Sequence, residues 1–214
     1  MKFKLKISTI TIKKLKNNKF INALPELYEL KNVIENNLWH NNDSVFDHTI
    51  AVLEKLEMLF KKTNDNINSY LNQIVNKNTK KQLLFLGTVL HDIAKKETII
   101  NKNSITTCPR HEQKGAVKAQ KILRRFNLSQ KEIHYITNLI KHHGLIHCLL
   151  DDVNNQNFQA QFNNFMKKFF KNIYPELMLL GLADTAVNYL KITNPKEFQL
   201  RIKFYQRELN KIVL

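Results

Sequence analysis

Leu83-Leu84-Phe85-Leu86-Gly87-Thr88-Val89-Leu90-His91-Asp92-Ile93-Ala94-Lys95 is a nearly unbroken apolar run that leads straight into a histidine–aspartate pair. With one Gly and no Pro, it reads as a buried helix. Desolvating an imidazole and a carboxylate at the end of such a helix costs several kcal/mol unless something compensates the charge. A divalent cation does so, because neutral imidazole and carboxylate are its ordinary ligands. Adjacent side chains point roughly 100° apart on a helix, so His91 and Asp92 grip one ion only at a helix end or from its flank. Lys95 lies one turn beyond His91, within reach of an anion beside that ion. Taken alone, the dipeptide reads first as a buried histidine capped by its neighbour. The other histidines decide the matter.

Working outward, the composition favours helices. Only 4 Gly and 4 Pro occur in 214 residues, far below the ~12% of average usage, which leaves little sequence for turns and strands. The expected fold is all-α, one domain of residues 24–214 preceded by a basic arm or small extension at 1–23. Within that extension Phe3, Leu5 and Ile7 alternate with lysines in a strand-like way but find no partner strand. Cys108 and Cys148 have no paired spacing, which points to a reducing compartment. Nothing approaches ~20 consecutive apolar residues and no secretory signal is visible, so a cytoplasmic protein without a membrane span is expected. The net charge of +16 comes from scattered lysines and arginines rather than one basic run. It reads as solvated faces of a Lys- and Asn-rich chain, compatible with an anionic partner such as a nucleotide or RNA.

The inner faces carry the chemistry. Pro25 opens a helix with Leu27, Leu30, Val33 and Ile34 on one side, and Trp39-His40 follow in a polar loop. Ser44 to Asp47 form a capping signal for a helix whose stripe of Val45, Val52, Leu56 and Leu59 includes His48. Ile99 to Pro109 reads as a loop. His111 then shares a face with Gly115, Ala119, Ile122 and Phe126, the small residues allowing close approach of a neighbour. Ser129 to Glu132 is a capping box for a helix bearing Ile133, Ile136, Leu139, Ile140 and His143, with His142 beside it. Gly144 loosens or ends that helix and leaves His147 just past it. Phe158, Phe162, Phe165 and Phe169 form a core stripe, and Asp184 sits inside the apolar helix begun by Pro175. His48, His91, Asp92, His111, His143 or His142, and Asp184 thus form the nitrogen-plus-carboxylate mixture that holds one or two ions inside a helical bundle.

That order of His, His-Asp, His, His and Asp resembles the HD superfamily of metal-dependent phosphohydrolases. It is most similar to the HD domain at the C-terminus of bacterial tRNA nucleotidyltransferases and to free-standing relatives. The likeness rests on Trp39-His40, Val45-Phe46-Asp47-His48-Thr49, Leu90-His91-Asp92-Ile93-Ala94-Lys95, Arg110-His111-Glu112-Gln113-Lys114-Gly115-Ala116, His142-His143-Gly144-Leu145-Ile146-His147 and Leu182-Ala183-Asp184. It implies a metal site at the centre of a helical bundle, with His48, His91, Asp92 and Asp184 as primary ligands. His111 and His143 then resemble ligands of a second ion bridged by Asp92, with His142 the competitor of His143. Nothing before residue 24 accommodates a nucleotidyltransferase domain, so CCA addition is not expected. The absence of a Gly-Tyr-Pro signature argues against cyclic-di-GMP hydrolysis.

The expected activity is hydrolysis of phosphomonoesters or phosphodiesters of nucleotides or RNA ends, 2′,3′-cyclic phosphates among them, by a metal-activated water. Asp92 is central to it. Lys95 is expected to steady phosphoryl charge and Arg110 to orient the phosphate by a two-pronged contact. The alternative is a nucleic-acid-binding or regulatory HD module with little catalysis.

Overall fold

Short polar side chains that take up free N–H groups set six of the helix starts among the described residues. A computed structural model describes residues 4–151, 157–169 and 172–212. Thr11 caps α1 (Ile12–Lys16), and Pro25 opens α2 (Pro25–Glu29), which tightens into a 3-10 turn at Leu30–Asn32. β1 (Ile34–Asn36) pairs antiparallel with β2 (Asn41–Ser44) in the register Ile34↔Ser44 and Glu35↔Asp43. Ser44 then caps α3 (Val45–Phe60), accepting from the Asp47 N–H at 3.0 Å and donating to the Asp47 carboxylate at 2.7 Å. Asn64 caps α4 (Asp65–Leu71), and a Thr79/Gln82 capping box opens α5 (Lys80–Leu90). Four residues of turn lead to α6 (Lys95–Thr98) and a second hairpin, β3 (Ile100–Lys102) with β4 (Ile105–Thr107).

The remaining elements are helical. They are α7 (His111–Leu123), α8 (Gln130–His142, opened by the Ser129/Glu132 capping box), α9 (Leu145–Asp151) and α10 (Phe158–Phe169). Then come α11 (Tyr174–Val187, with Pro175 in its first turn), α12 (Leu190–Thr193) and α13 (Pro195–Asn210, capped by Asn194). The architecture is all-α with two small hairpins among the described residues.

The apolar run of α5 lies at the centre. Leu83, Leu84, Leu86, Val89 and Leu90 are at most 1% exposed, each side chain contributing roughly 1.5–3 kcal/mol of burial. α5 packs against α3 and α8, α7 lies along α8, and α11 is held between α3 and α13. Gly115 brings α7 close: a Cβ there would stand 3.2 Å from Ile140 Cγ2 and 3.6 Å from the His91 carbonyl oxygen. Phe162, Phe165 and Phe169 are buried as the core stripe anticipated. No helix of the described residues is long and apolar enough to cross a membrane.

Two local expectations need correction. Ile34 does not continue the face of α2; it is in β1 and 44% exposed, because the chain turns out of helical geometry after Asn32. The loop expected at Ile99 to Pro109 contains a hairpin, turned by Asn103 and Ser104 at φ 53° and 63°. The segment before residue 24, for which the sequence leaves both an arm and a small extension open, packs on the rest of the protein where it is described. Ile7, Ile10, Ile12, Leu15 and Phe20 are buried, and Leu5 exchanges main-chain hydrogen bonds with Arg125 (2.9 Å) and Asn127 (2.8 Å); Phe3 lies outside the described residues. At the tip of the first hairpin, the Leu38 carbonyl accepts from the Thr193 hydroxyl at 2.7 Å and the Trp39 carbonyl from the Tyr189 N–H at 2.7 Å.

Candidate metal centre

α5 ends at Leu90, so His91 and Asp92 leave the helix as it stops; Asp92 lines a cleft and His91 lies beside it, Nε2 3.2 Å from Asp92 Oδ2. His91 and Asp92 are 1% and 3% exposed. His48 arrives from the first turns of α3, His111 from the first residue of α7, His143 from the C-cap of α8 and Asp184 from α11. The cleft, of about 240 Å³, is lined by five of these with Lys95, His40 and His147.

Asp92 is shared between two groups of donor atoms. His48, His91 and Asp92 bring one atom each to within 4.8 Å of one another, and so do Asp92, His111 and His143. His91 Nε2 is 3.2 Å from Asp92 Oδ2, whereas His111 Nε2 is 3.4 Å and His143 Nε2 3.7 Å from Asp92 Oδ1. His48 Nε2 lies 3.0 Å from Asp184 Oδ1, and the Nε2 atoms of His111 and His143 are 3.4 Å apart. Donors about 2.1 Å from a common ion stand about 3.0 Å apart at a right angle and about 3.4 Å at a tetrahedral angle. The donor set and its spacing therefore fit a divalent cation.

Tautomers make the fit sharper. His91 Nδ1 donates to the Thr88 carbonyl at 2.7 Å, His111 Nδ1 to the Cys108 carbonyl at 2.7 Å, and His143 Nδ1 to the Ile140 carbonyl at 2.8 Å. Each ring proton is thus spent on the backbone, and three Nε2 lone pairs face a carboxylate. His91 Nε2 is buried without a hydrogen-bond partner, the nearby Asp92 oxygen lying out of hydrogen-bond geometry. Such a convergence requires a proton or a metal cation in the space between.

The electrostatics agree. Burial pushes Asp92 towards neutrality, yet the charges of His91 and Lys95 hold its carboxyl well below the usual range. Burial likewise disfavours charge on His91, but the Asp92 carboxylate draws a proton onto it and raises its pKa. On His111 burial prevails, aided by His143 and Lys95 against Asp92, and the pKa falls. Asp184 resists burial through the imidazoles of His147 and His48 beside it and also stays low.

Not every expected residue joins this group. His142 turns the other way, its ring 4.7 Å from that of Phe169, and burial lowers it to about 4. Neighbours on a helix diverge by roughly 100°, so only one of the pair faces the cleft. Arg110 is exposed at the start of α7, in a left-handed conformation (φ 59°), and does not line the cleft. Lys95 is present but committed: its ammonium is 2.7 Å from Glu35 Oε2 and 3.0 Å from Asp92 Oδ2. Sequence reasoning missed Glu35, 3% exposed on β1, which also has His40 Nε2 at 3.5 Å. Its pairing depends on a hairpin with no strong strand signal. His147 was also missed as a site residue; its Nε2 is 3.2 Å from Asp184 Oδ2. The signal was its four-residue spacing from His143, obscured by Gly144 between them.

A helical bundle with a histidine–aspartate centre of this order defines a class. The HD domain family model matches residues 45–184, and the chain belongs to the HD domain family, whose members are metal-dependent hydrolase-type domains. The chain is also similar to the bifunctional uridylyltransferase/uridylyl-removing enzyme of Pasteurella multocida (strain Pm70), 26% identical over 123 residues. That alignment covers 58% of this chain but only 13% of the relative's length.

Proposed function

We propose that this protein is a divalent-metal-dependent phosphohydrolase that cleaves phosphomonoesters or phosphodiesters of nucleotides or RNA ends. The observation that carries the reading is the set of three imidazoles with protons tied to carbonyls and Nε2 lone pairs turned on Asp92. His48, His91, Asp92 and Asp184 would hold one ion, and Asp92, His111 and His143 would hold a second. When bound, the metal supplies an acidified water and an electrophilic contact for a phosphoryl oxygen.

The chain's own groups do the rest. Asp92, kept ionised by its cationic neighbours, offers one oxygen to each histidine group. Lys95, pinned by Glu35, balances the Asp92 charge instead of reaching for substrate. The three backbone carbonyls hold the imidazoles in one tautomer and one orientation. The similarity to a protein whose name includes a uridylyl-removing activity supports nucleotidyl phosphoesters as a class to test.

The test is a panel of 2′,3′-cyclic nucleotides, nucleoside monophosphates and guanosine tetraphosphate, assayed with Mn²⁺, Mg²⁺, Ni²⁺, Co²⁺, Fe²⁺ and Zn²⁺ in turn. Hydrolysis of at least one substrate, abolished by a chelator and restored by metal, is expected. A protein that binds less than a tenth of an equivalent of any of these ions, and hydrolyses nothing, overturns the reading.

A further inference from the structure

We infer that Tyr205 and His147 form a positioning relay that aims Asp184 at the first ion, with Gly181 as the notch that admits it. The inference rests on the reading of Asp184 as a metal ligand and adds what fixes it. Asp184 has two oxygens with separate tasks. Oδ1 is 3.0 Å from His48 Nε2, on the side of the metal group, while Oδ2 is 3.2 Å from His147 Nε2.

His147 is set up differently from the ligand imidazoles. Its Nδ1 meets no backbone carbonyl; it lies 3.2 Å from the Tyr205 hydroxyl. A hydroxyl, unlike a carbonyl, can donate to Nδ1, which leaves Nε2 to carry the proton and donate to Oδ2. Nδ1 is then the acceptor and the phenol donates to it. This is the opposite tautomer to His91, His111 and His143, whose Nδ1 atoms are the donors. A ring that donates through Nε2 orients a ligand; it does not serve as one.

The relay is anchored from α13. Tyr205 is fully buried, and Arg201, also fully buried, donates from Nη1 to the His147 carbonyl at 3.1 Å. Arg201 further holds Glu197 (2.9 Å) and Asp151, which ties α9 to α13. Gly181 precedes Asp184 by three residues, on the same side of α11. A Cβ at Gly181 would stand 2.7 Å from Tyr205 Cε1 and Cζ and 2.8 Å from its hydroxyl oxygen. The missing side chain is therefore what lets the phenol pass α11 and reach His147.

The experiment is calorimetric titration of metal-free protein with Mn²⁺, alongside thermal unfolding of the same metal-free samples. His147→Ala should weaken the tighter Mn²⁺ step by about 10–100-fold, the usual effect of losing such an outer contact. Tyr205→Phe, which removes one oxygen and leaves the ring, should weaken it in the same direction by less. His147→Gln should recover part of the loss, because an amide N–H can still donate to Oδ2. Gly181→Ala should reproduce the Tyr205→Phe deficit, and the weaker Mn²⁺ step should be unmoved in all four. The relay is overturned, with the metal reading intact, if His147→Ala binds Mn²⁺ like the parent protein or if His147→Gln is no better than His147→Ala. It is likewise overturned if both steps weaken equally. A parent protein that takes up no Mn²⁺ overturns the metal reading itself, and the relay with it.

Discussion

Glu176 and Asp184 stand about two turns apart on α11 and end with opposite charge behaviour. Glu176 is fully buried and meets two phenols, Tyr70 at 3.0 Å and Tyr135; burial outweighs their hydrogen bonds and pushes its carboxyl up to about 7. Asp184, its side chain 19% exposed, meets two imidazoles, and its carboxyl is held well below the usual range. Exposure alone does not explain the contrast, because Asp92 is only 3% exposed and also stays low. The partner decides. Two phenol hydrogen bonds do not offset burial at Glu176, whereas the hydrogen-bonding imidazoles of His147 and His48 more than offset it at Asp184. One end of the helix holds a carboxyl that keeps its proton up to about pH 7; the other holds one that stays ionised.

The strongest way to break that comparison is Asp184→Asn, which keeps the shape and removes the charge. Hydrolysis should fall by more than about 100-fold, past the 10–100-fold range of outer contacts, with loss of one equivalent of bound metal by elemental analysis. Full metal content in that variant would mean that the charge of Asp184 is not what the ion needs. A finer cut separates the two sides of Asp92. His48→Ala should remove the first ion and the activity, while His111→Ala should leave one tightly held equivalent, as counted by titration. The basis is that the first group offers four donors, His48, His91, Asp92 and Asp184, against Asp92, His111 and His143 for the second.

At the other end of α11, Glu176 makes a stability prediction whose sign follows from its raised pKa. The unfolded chain loses this proton near pH 4.5 and the folded protein near pH 7, so the folded state binds more protons between them. Stability should therefore decline as pH rises through that window, by up to about 3 kcal/mol. Glu176→Gln should flatten the decline in urea unfolding curves and leave hydrolysis unchanged. His142→Ala should do least, changing stability by about 1 kcal/mol or less and the rate not at all, since its ring packs on Phe169.

Much of this centre is legible in the sequence, for local reasons. Ser44, Ser129 and the run from Leu83 to Leu90 announce helix starts and a buried helix through contacts made within a few residues. The periodicity that puts Ile136, Leu139 and Ile140 inside also selects His143 over His142. Glu35 was hidden because its partner Lys95 is 60 residues away and the strand presenting it is three residues long. The second hairpin was hidden because its turn rests on Asn103 and Ser104 in left-handed conformations, which a Lys- and Asn-rich sequence does not single out. His147 was hidden by a helix break whose restart at Leu145 has no cap signal in the sequence.

The hydrogen bonds from Thr193 and Tyr189 to the Leu38 and Trp39 carbonyls have a consequence for how molecules enter. They staple the hairpin tip to the segment just beyond α11, so this side of the doorway is a fixed jamb. Swinging it aside means breaking two main-chain attachments at once. Trp39, which lines the cleft with His40 and His147, is thereby tied to the segment that follows the Asp184 helix.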